Sequence, residues 1–477
     1  MTNTPTKIPE LCTYTAVAQR QLLDSGQISA LELTDAYLSH IERVNGRVNA
    51  IVTLVPEHAR KLARLVDKKH QQGETPGLLA GLTVAHKDLA DTKGIRTTYG
   101  SPLFAEHVPQ HNALIVQRMV DAGAITLGKT NTPEFGAGSQ TFNTVFGATL
   151  NPYDLSKTPG GSSGGAAAAL AARMISLADG SDMGGSLRNP ANFCNVVGLR
   201  PSPGRVPSVP TDMGWFTLPV VGPMAKTVED CALLLAAIAG PDRRAPLSLD
   251  TPGSHFLGNL ERDFKDTRIA FSPDFNGQLP VAKEVVNAID NTRGTFESLG
   301  CRLEQQCPDF KDADNIFKTL RAWSMASAHG KQLARHRHQY KDTLIWNIEQ
   351  GMALDAAAIA TAEKQRSQLF LRVMDVLQDH EFMVFPVSQV TPFASTTEYP
   401  TDIEGETMHT YIDWMKSCYY LSSIGLPCIS VPCGFTPAGL PVGVQIVGRP
   451  QADFALLQLA YGFQQATEHW RVLPSLD

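Results

Sequence analysis

What this chain lacks narrows its chemistry before any motif is read. No apolar stretch is long enough to span a bilayer, and the opening Met1-Thr-Asn-Thr-Pro-Thr-Lys7 has none of the apolar segment of an export signal. A protein free in the cytoplasm with no membrane partner is the expectation. There is no basic stripe, and a net charge of -6 disfavours a nucleic-acid partner. The eight cysteines (Cys12, Cys194, Cys231, Cys301, Cys307, Cys418, Cys428, Cys433) show no paired metal-ligand spacing, so they read as free thiols in a reducing compartment. The Gly-Lys-Ser/Thr of a phosphate-binding loop is missing. So are internal repeats, low-complexity tracts and a long linker. At 477 residues with 43% hydrophobic side chains, the chain is therefore expected to form one large domain, 1–477, around a substantial core.

What is present is concentrated between Gly160 and Pro190. Gly-Gly-Ser-Ser-Gly-Gly at 160–165 is followed by an alanine-rich run and then by Gly180-Ser-Asp-Met-Gly-Gly-Ser186-Leu-Arg-Asn-Pro190. Glycine at this density lets backbone N–H groups converge on a ligand, and the serines supply hydroxyls. The pairing points to acyl transfer, in which one hydroxyl attacks a carbonyl and nearby N–H groups hold the oxyanion.

The coarse pattern alternates strands and helices, the signature of an α/β protein with a mostly parallel sheet. Ser29-Ala-Leu-Glu32 is a capping box that opens a helix ending near Gly46. A strand is expected within Asn49–Val55, a helix from Glu57 to Gln72, and a strand into Val84, with Lys87 just beyond its end. A helix over Ala113–Ala122 leads into a strand at Ala124–Leu127, and Met174–Ala178 reads as another strand. Further on, the pattern predicts a helix from Thr227 to Gly240, a strand at Arg268–Phe271, one helix over Val281–Leu299, and mostly helix from 312 to 378. Strands at Cys428–Cys433 and Val442–Val447 and a helix over Phe454–Gln465 close the chain. Loops at the carboxyl ends of strands would gather Lys87, Asn131 and the Gly180 segment.

These residues carry a family resemblance. Lys87 in Leu82-Thr-Val-Ala-His-Lys-Asp-Leu89, Ser162 in the Ser-Ser pair, and Ser186 in Gly-Gly-Ser-Leu-Arg-Asn-Pro have the order and spacing of a Ser-Ser-Lys triad. With Asn131-Thr-Pro-Glu-Phe135, Phe146-Gly-Ala-Thr-Leu-Asn-Pro152 and Val197-Gly-Leu-Arg-Pro201, the block from 83 to 200 resembles the amidase signature family. The resemblance implies a large mixed, mostly parallel sheet covered by helices on both faces, with a helical lobe at roughly 310–425 over the site. It implies Ser186 as nucleophile, Lys87 as a neutral base in a dry pocket, and Ser162, after a cis Gly161–Ser162 peptide, as proton relay. Backbone N–H groups of Met183, Gly184, Gly185 and Ser186 would form the oxyanion hole, reinforced if a helix starts at Ser186. Gly136, Gly138 and Ser139 would contact the acyl group, and Met213-Gly-Trp-Phe216 would close the opposite side. Family members usually carry threonine at the position of Ser181. No metal or organic cofactor is implied.

Each motif has a plainer competitor. Gly160-Gly-Ser-Ser-Gly164 matches the G-x-S-x-G nucleophile elbow, but its approach, Asn151 to Pro159, reads as loop instead of the strand that an elbow needs. The same glycine-serine run could be a flexible linker. Asp182, Arg188 and His86 read as scaffold, and Trp323, Trp346, Trp414, Tyr411 and Tyr419 as core aromatics or an entrance lining. Three functions follow: a stand-alone hydrolase of a small amide, anilide or carbamate with side activity on esters; the glutaminase component of a tRNA-dependent amidotransferase; or a silent scaffold. The first is preferred, because Leu320-Arg-Ala-Trp-Ser-Met-Ala-Ser-Ala-His-Gly330 differs from the Tyr- and Gly-rich segment of amidotransferase subunits. Its partner would be the small-molecule amide, with room for a homodimer.

Overall fold

Local capping sets the first elements of the computed structural model, which describes residues 8–74 and 76–476; Met1–Lys7 of the sequence reading lie outside the described residues. The Ser29 side chain accepts from the Glu32 N–H while Glu32 accepts from the Ser29 N–H, and the helix Ala30–Val48 starts on this box. Its end lies beyond Gly46. Asn49, at φ 54°, provides the left-handed cap instead, because asparagine tolerates that conformation.

One eleven-stranded sheet organises the chain, in the order Ile51–Leu54, Ile125–Thr130, Thr83–Lys87, Leu177–Asp182, Val220–Ala225, Val197–Arg200, Cys428–Phe435, Pro441–Gly448, Phe382–Pro386, Arg268–Phe271, Arg302–Gln305. It is the large mixed sheet with helices that the resemblance implies. Parallel ladders form two blocks: Thr83–Lys87 with its two neighbours, and Arg268–Phe271 with its two. The ladders between these blocks, and that of Ile51–Leu54, are antiparallel. Parallel pairing is thus less extensive than strand-helix alternation suggests, because Val220–Ala225 and Pro441–Gly448 each follow the preceding strand without an intervening helix. The strands Thr83–Lys87, Val197–Arg200 and Pro441–Gly448 are buried at every residue, as strands covered on both faces must be.

Two boundaries differ from the sequence reading for physical reasons. The strand expected at Met174–Ala178 runs instead from Leu177 to Asp182, because its ladder with Val220–Ala225 carries the polar Gly180-Ser-Asp into the sheet. The helix expected over Val281–Leu299 divides into Lys283–Asp290 and Arg293–Ser298. At the break the Thr292 hydroxyl donates to the Ile289 carbonyl, a side-chain bond that competes with the helical ladder.

Residues 312–378 are helical as expected, in Ala313–His336, Asp342–Met352 and Ala356–Asp379. Their apolar residues Met325, Leu333, Tyr340, Leu344, Ile345 and Ile348 gather with Ala137 in a small cluster apart from the main core. Trp414 is buried between Phe193 and Phe393, and Trp323 and Trp346 are half-buried against Phe216 and Tyr411. The cysteines carry no disulfide, and seven of them are buried. No described helix is long and apolar enough to cross a membrane.

Candidate active site

The parallel block brings the chemistry to one end of the sheet. Thr83–Lys87 pairs in parallel with Ile125–Thr130 on one side and with Leu177–Asp182 on the other, so Lys87, Asn131 and Met183 emerge together from three carboxyl ends. Beneath them runs the helix Gly164–Ala171, buried at every residue. A Cβ at Gly165 would lie 2.3 Å from the Asn131 backbone nitrogen, so the helix reaches this depth only with glycine there. Residues 155–163 carry no strand, which removes the elbow reading.

Lys87 is the last residue of its strand and is 1% exposed. Its Nζ donates to Ser162 Oγ at 2.7 Å, Ser163 Oγ at 2.9 Å and Ser181 Oγ at 3.0 Å. Three hydroxyls and no carboxylate surround the amine, so nothing close compensates a positive charge. Burial pushes its pKa from an ordinary 10.5 down to about 7, against the opposing fields of Asp182 and Asp179. The peptide Gly161–Ser162 is cis. The Ser163 N–H donates to the Ser186 carbonyl at 3.2 Å, which ties the Ser162–Ser163 pair to the second glycine loop. Ser186 is 9% exposed. A cavity of about 110 Å³ borders Lys87, Leu89, Ala113, Ser181 and Val209.

The loop carrying Ser186 is held by a buried charge cluster. Asp182 accepts from Gly185 N–H at 2.9 Å and Leu187 N–H at 3.2 Å, and pairs with Arg188 at 3.0 Å and Arg200 at 3.2 Å, all fully buried. Burial would raise the Asp182 carboxyl, but the two guanidinium groups and these hydrogen bonds hold it well below the usual carboxylate range. The same contact amends the expected oxyanion hole. Gly185 N–H is taken by Asp182, whereas those of Met183, Gly184 and Ser186 donate to no acceptor among the described residues. The helix here is Arg188–Phe193, two residues later than the start considered at Ser186. Gly185 has φ 119°, and a Cβ there would lie 2.6 Å from that of Cys418, so only glycine fits.

Gly136, Gly138 and Ser139 stand on the other side. A Cβ on Gly136 would approach Ser162 Oγ to 3.4 Å, and one on Gly138 would approach Lys341 Nζ and the Tyr411 ring to 3.7 Å; Ser139 is buried. Of Met213-Gly-Trp-Phe216, Trp215 is 77% exposed, while Met213, Gly214 and Phe216 border a cavity of about 270 Å³ that shares Pro207 and Ser208 with the cavity beside Lys87. His86 donates from Nδ1 to Asp179 and lies against Thr126, a scaffold position. Sequence reasoning missed Ser163, whose hydroxyl touches the same amine as Ser162, although the doubled serine was visible. It also missed Arg200, which stood out only as part of a motif. Nothing local in the sequence signals Arg321 or Lys341, whereas Tyr411 stood among the aromatics read as core or entrance lining.

Likenesses to known proteins span nearly the whole chain. A family model described as Amidase matches residues 32–457. A glutamyl-tRNA(Gln) amidotransferase subunit of Moorella thermoacetica is 36% identical over 498 aligned positions, covering 98% of this chain and 99% of that protein. Among solved structures, a bacterial aryl acylamidase of the amidase signature enzymes superposes with a TM-score of 0.89 at 28% identity, over 96% of this chain and 97% of that one. The 6-aminohexanoate cyclic dimer hydrolase, complexed with its substrate, gives 0.87 at 26% identity over 98% and 100%.

Proposed function

Since the chain belongs to the amidase family, we propose that it hydrolyses a carboxylic amide through an acyl-serine intermediate. One observation carries this reading: a buried lysine held only by serine hydroxyls, with its pKa lowered to about 7. In the proposed sequence, neutral Lys87 takes the proton of Ser162, and Ser162 takes that of Ser186 as Ser186 Oγ bonds to the carbonyl carbon. The oxyanion is held by the free N–H groups of Met183, Gly184 and Ser186. Collapse breaks the C–N bond while the proton returns through Ser162 to the leaving nitrogen. Water then cleaves the ester on Ser186 by the same relay.

The nitrogen has two fates. The sequence likeness to an amidotransferase component, which spans both chains, favours a glutaminase that passes ammonia to a partner, and supports it better than the stand-alone enzyme preferred on sequence. The stand-alone reading keeps the superpositions on an aryl acylamidase and on 6-aminohexanoate cyclic dimer hydrolase in its favour. Purified protein offered glutamine, a p-nitroanilide panel and a serine-directed fluorophosphonate separates them. Ammonia from glutamine with the anilides untouched supports the glutaminase, and anilide turnover without glutamine turnover supports the stand-alone hydrolase. No turnover together with no label on Ser186 would overturn the reading.

A further inference from the structure

The helix Ala313–His336 lies across the candidate site and carries a cation with no counter-ion. Phe317 stacks on Tyr419 with ring centroids 4.2 Å apart and closes over Gly184, where a Cβ would meet the Phe317 ring at 2.7 Å. One turn on, Arg321 is 4% exposed. Its Nη1 is 3.4 Å from Met183 Sδ and its Nη2 donates to the Tyr411 hydroxyl at 2.9 Å. The Tyr411 hydroxyl in turn donates to Asn347 Oδ1 at 3.0 Å. Arg321 Nε is buried with no acceptor, and no carboxylate of the described residues pairs with the guanidinium. Of the other deeply buried arginines, Arg188 and Arg200 have Asp182, Arg205 has Asp453, and Arg173, remote from the site, meets the Trp470 carbonyl.

Lys341 sharpens the contrast. It lies 5.8 Å from the centre of the Tyr411 ring, adding a second positive charge, but its Nζ is taken by the Ala137 carbonyl at 2.5 Å and its N–H by Glu134. Arg321 therefore links the Met183 loop to Tyr411, which borders the Gly138 wall, and its Nε remains without an acceptor. A buried charge without a partner is costly, and a planar fork suits a carboxylate.

We propose that Arg321 receives an ionised carboxyl group carried on the acyl portion of the substrate, so that the site selects amides of acids bearing a second carboxylate. This rests on the amide-hydrolase reading above and narrows its substrate class. Tyr411 and Met183 position the guanidinium, and the substrate anion supplies the missing counter-charge.

The test compares glutaramate with valeramide, its uncharged counterpart, as ligands of the Ser186→Ala protein by calorimetry. Glutaramate should bind about tenfold more tightly or better, the scale of a charge-assisted hydrogen bond. Arg321→Met in the same background should erase that preference and leave valeramide binding nearly unchanged. Equal binding of the two ligands by the Ser186→Ala protein, or equal weakening of both by Arg321→Met, would overturn the assignment. Should Arg321→Met fail to fold, Arg321→Gln, which keeps a donor toward Tyr411 without the charge, gives the same readout. Binding needs no turnover, so a failure here is distinct from a failure of fluorophosphonate to label Ser186 in the unmodified enzyme.

Discussion

Two buried cationic neighbourhoods flank the same glycine loop and are built on opposite plans. Under the loop, Arg188 and Arg200 converge on Asp182, so both guanidinium groups share one carboxylate of the chain. Above it, Arg321 and Lys341 flank Tyr411, and the guanidinium finds only a thioether and a phenol. The lower cluster is complete without any visitor and fixes the loop that bears Ser186. The upper one is incomplete, which makes it a place where substrate charge acts. Scaffold and recognition are thus told apart by whether each guanidinium has a carboxylate partner within the chain, not by burial, which is similar in both.

Substitutions can separate the two plans. The largest effect is expected at the chemistry between the clusters: Ser186→Ala should lower kcat/KM by about 10⁴-fold or more without unfolding the protein, and Lys87→Ala similarly. Because these groups act as a unit, Lys87→Ala with Ser162→Ala should cost little more than the worse single change, and additive losses in steady-state kinetics would exclude a relay.

Next comes the paired cluster. Asp182→Ala strands two guanidinium groups and should destabilise the fold by about 3–5 kcal/mol in urea unfolding. Its counterpart above, Arg321→Met, removes an unpaired charge and should leave the unfolding midpoint unchanged or raise it. A drop as large as that of Asp182→Ala would erase the distinction.

The smallest effect is a slope. The folded Lys87 pKa of about 7 lies below the ordinary 10.5, so between those pH values the unfolded chain binds a proton that the folded chain lacks. The penalty on folding is therefore full below pH 7 and fades as pH rises toward 10. Relative to Lys87→Met, the unmodified protein should gain about 1.4 kcal/mol of stability per pH unit across that window. Activity should rise through the same lower limb, near pH 7, as the amine becomes neutral.

The paired region was the legible one. Lys87, Ser162 and Ser186 stand in short motifs whose residue types match the chemistry, and Asp182 and Arg188 were readable as scaffold. The alternation of strands and helices located most of the sheet strands, but not their directions, because antiparallel entry by Val220–Ala225 or Pro441–Gly448 depends on partners far away in sequence. Gly180–Asp182 looked like loop because its β character comes from a ladder, not from its side chains. The upper region was opaque. Arg321, Lys341 and Tyr411 come from three separate segments, and only packing brings them together. The reach of Asp182 to Gly185 N–H, which trims the candidate oxyanion donors, likewise follows no spacing rule.

The helix Gly164–Ala171 fixes how this protein can change over time. Its first two residues are glycine and all but one of the rest are alanine, and each is buried with neighbours in contact. Even one added methylene at Ala166–Ala169 has nowhere to go, so variants there should vanish from any library selected for folding. The lobe above carries its own small apolar cluster and tolerates exchange of polar side chains. Lineages diverging from this chain would then keep one reaction while trading substrates, with novelty accumulating along Ala313–His336 and the ground beneath Lys87 standing still.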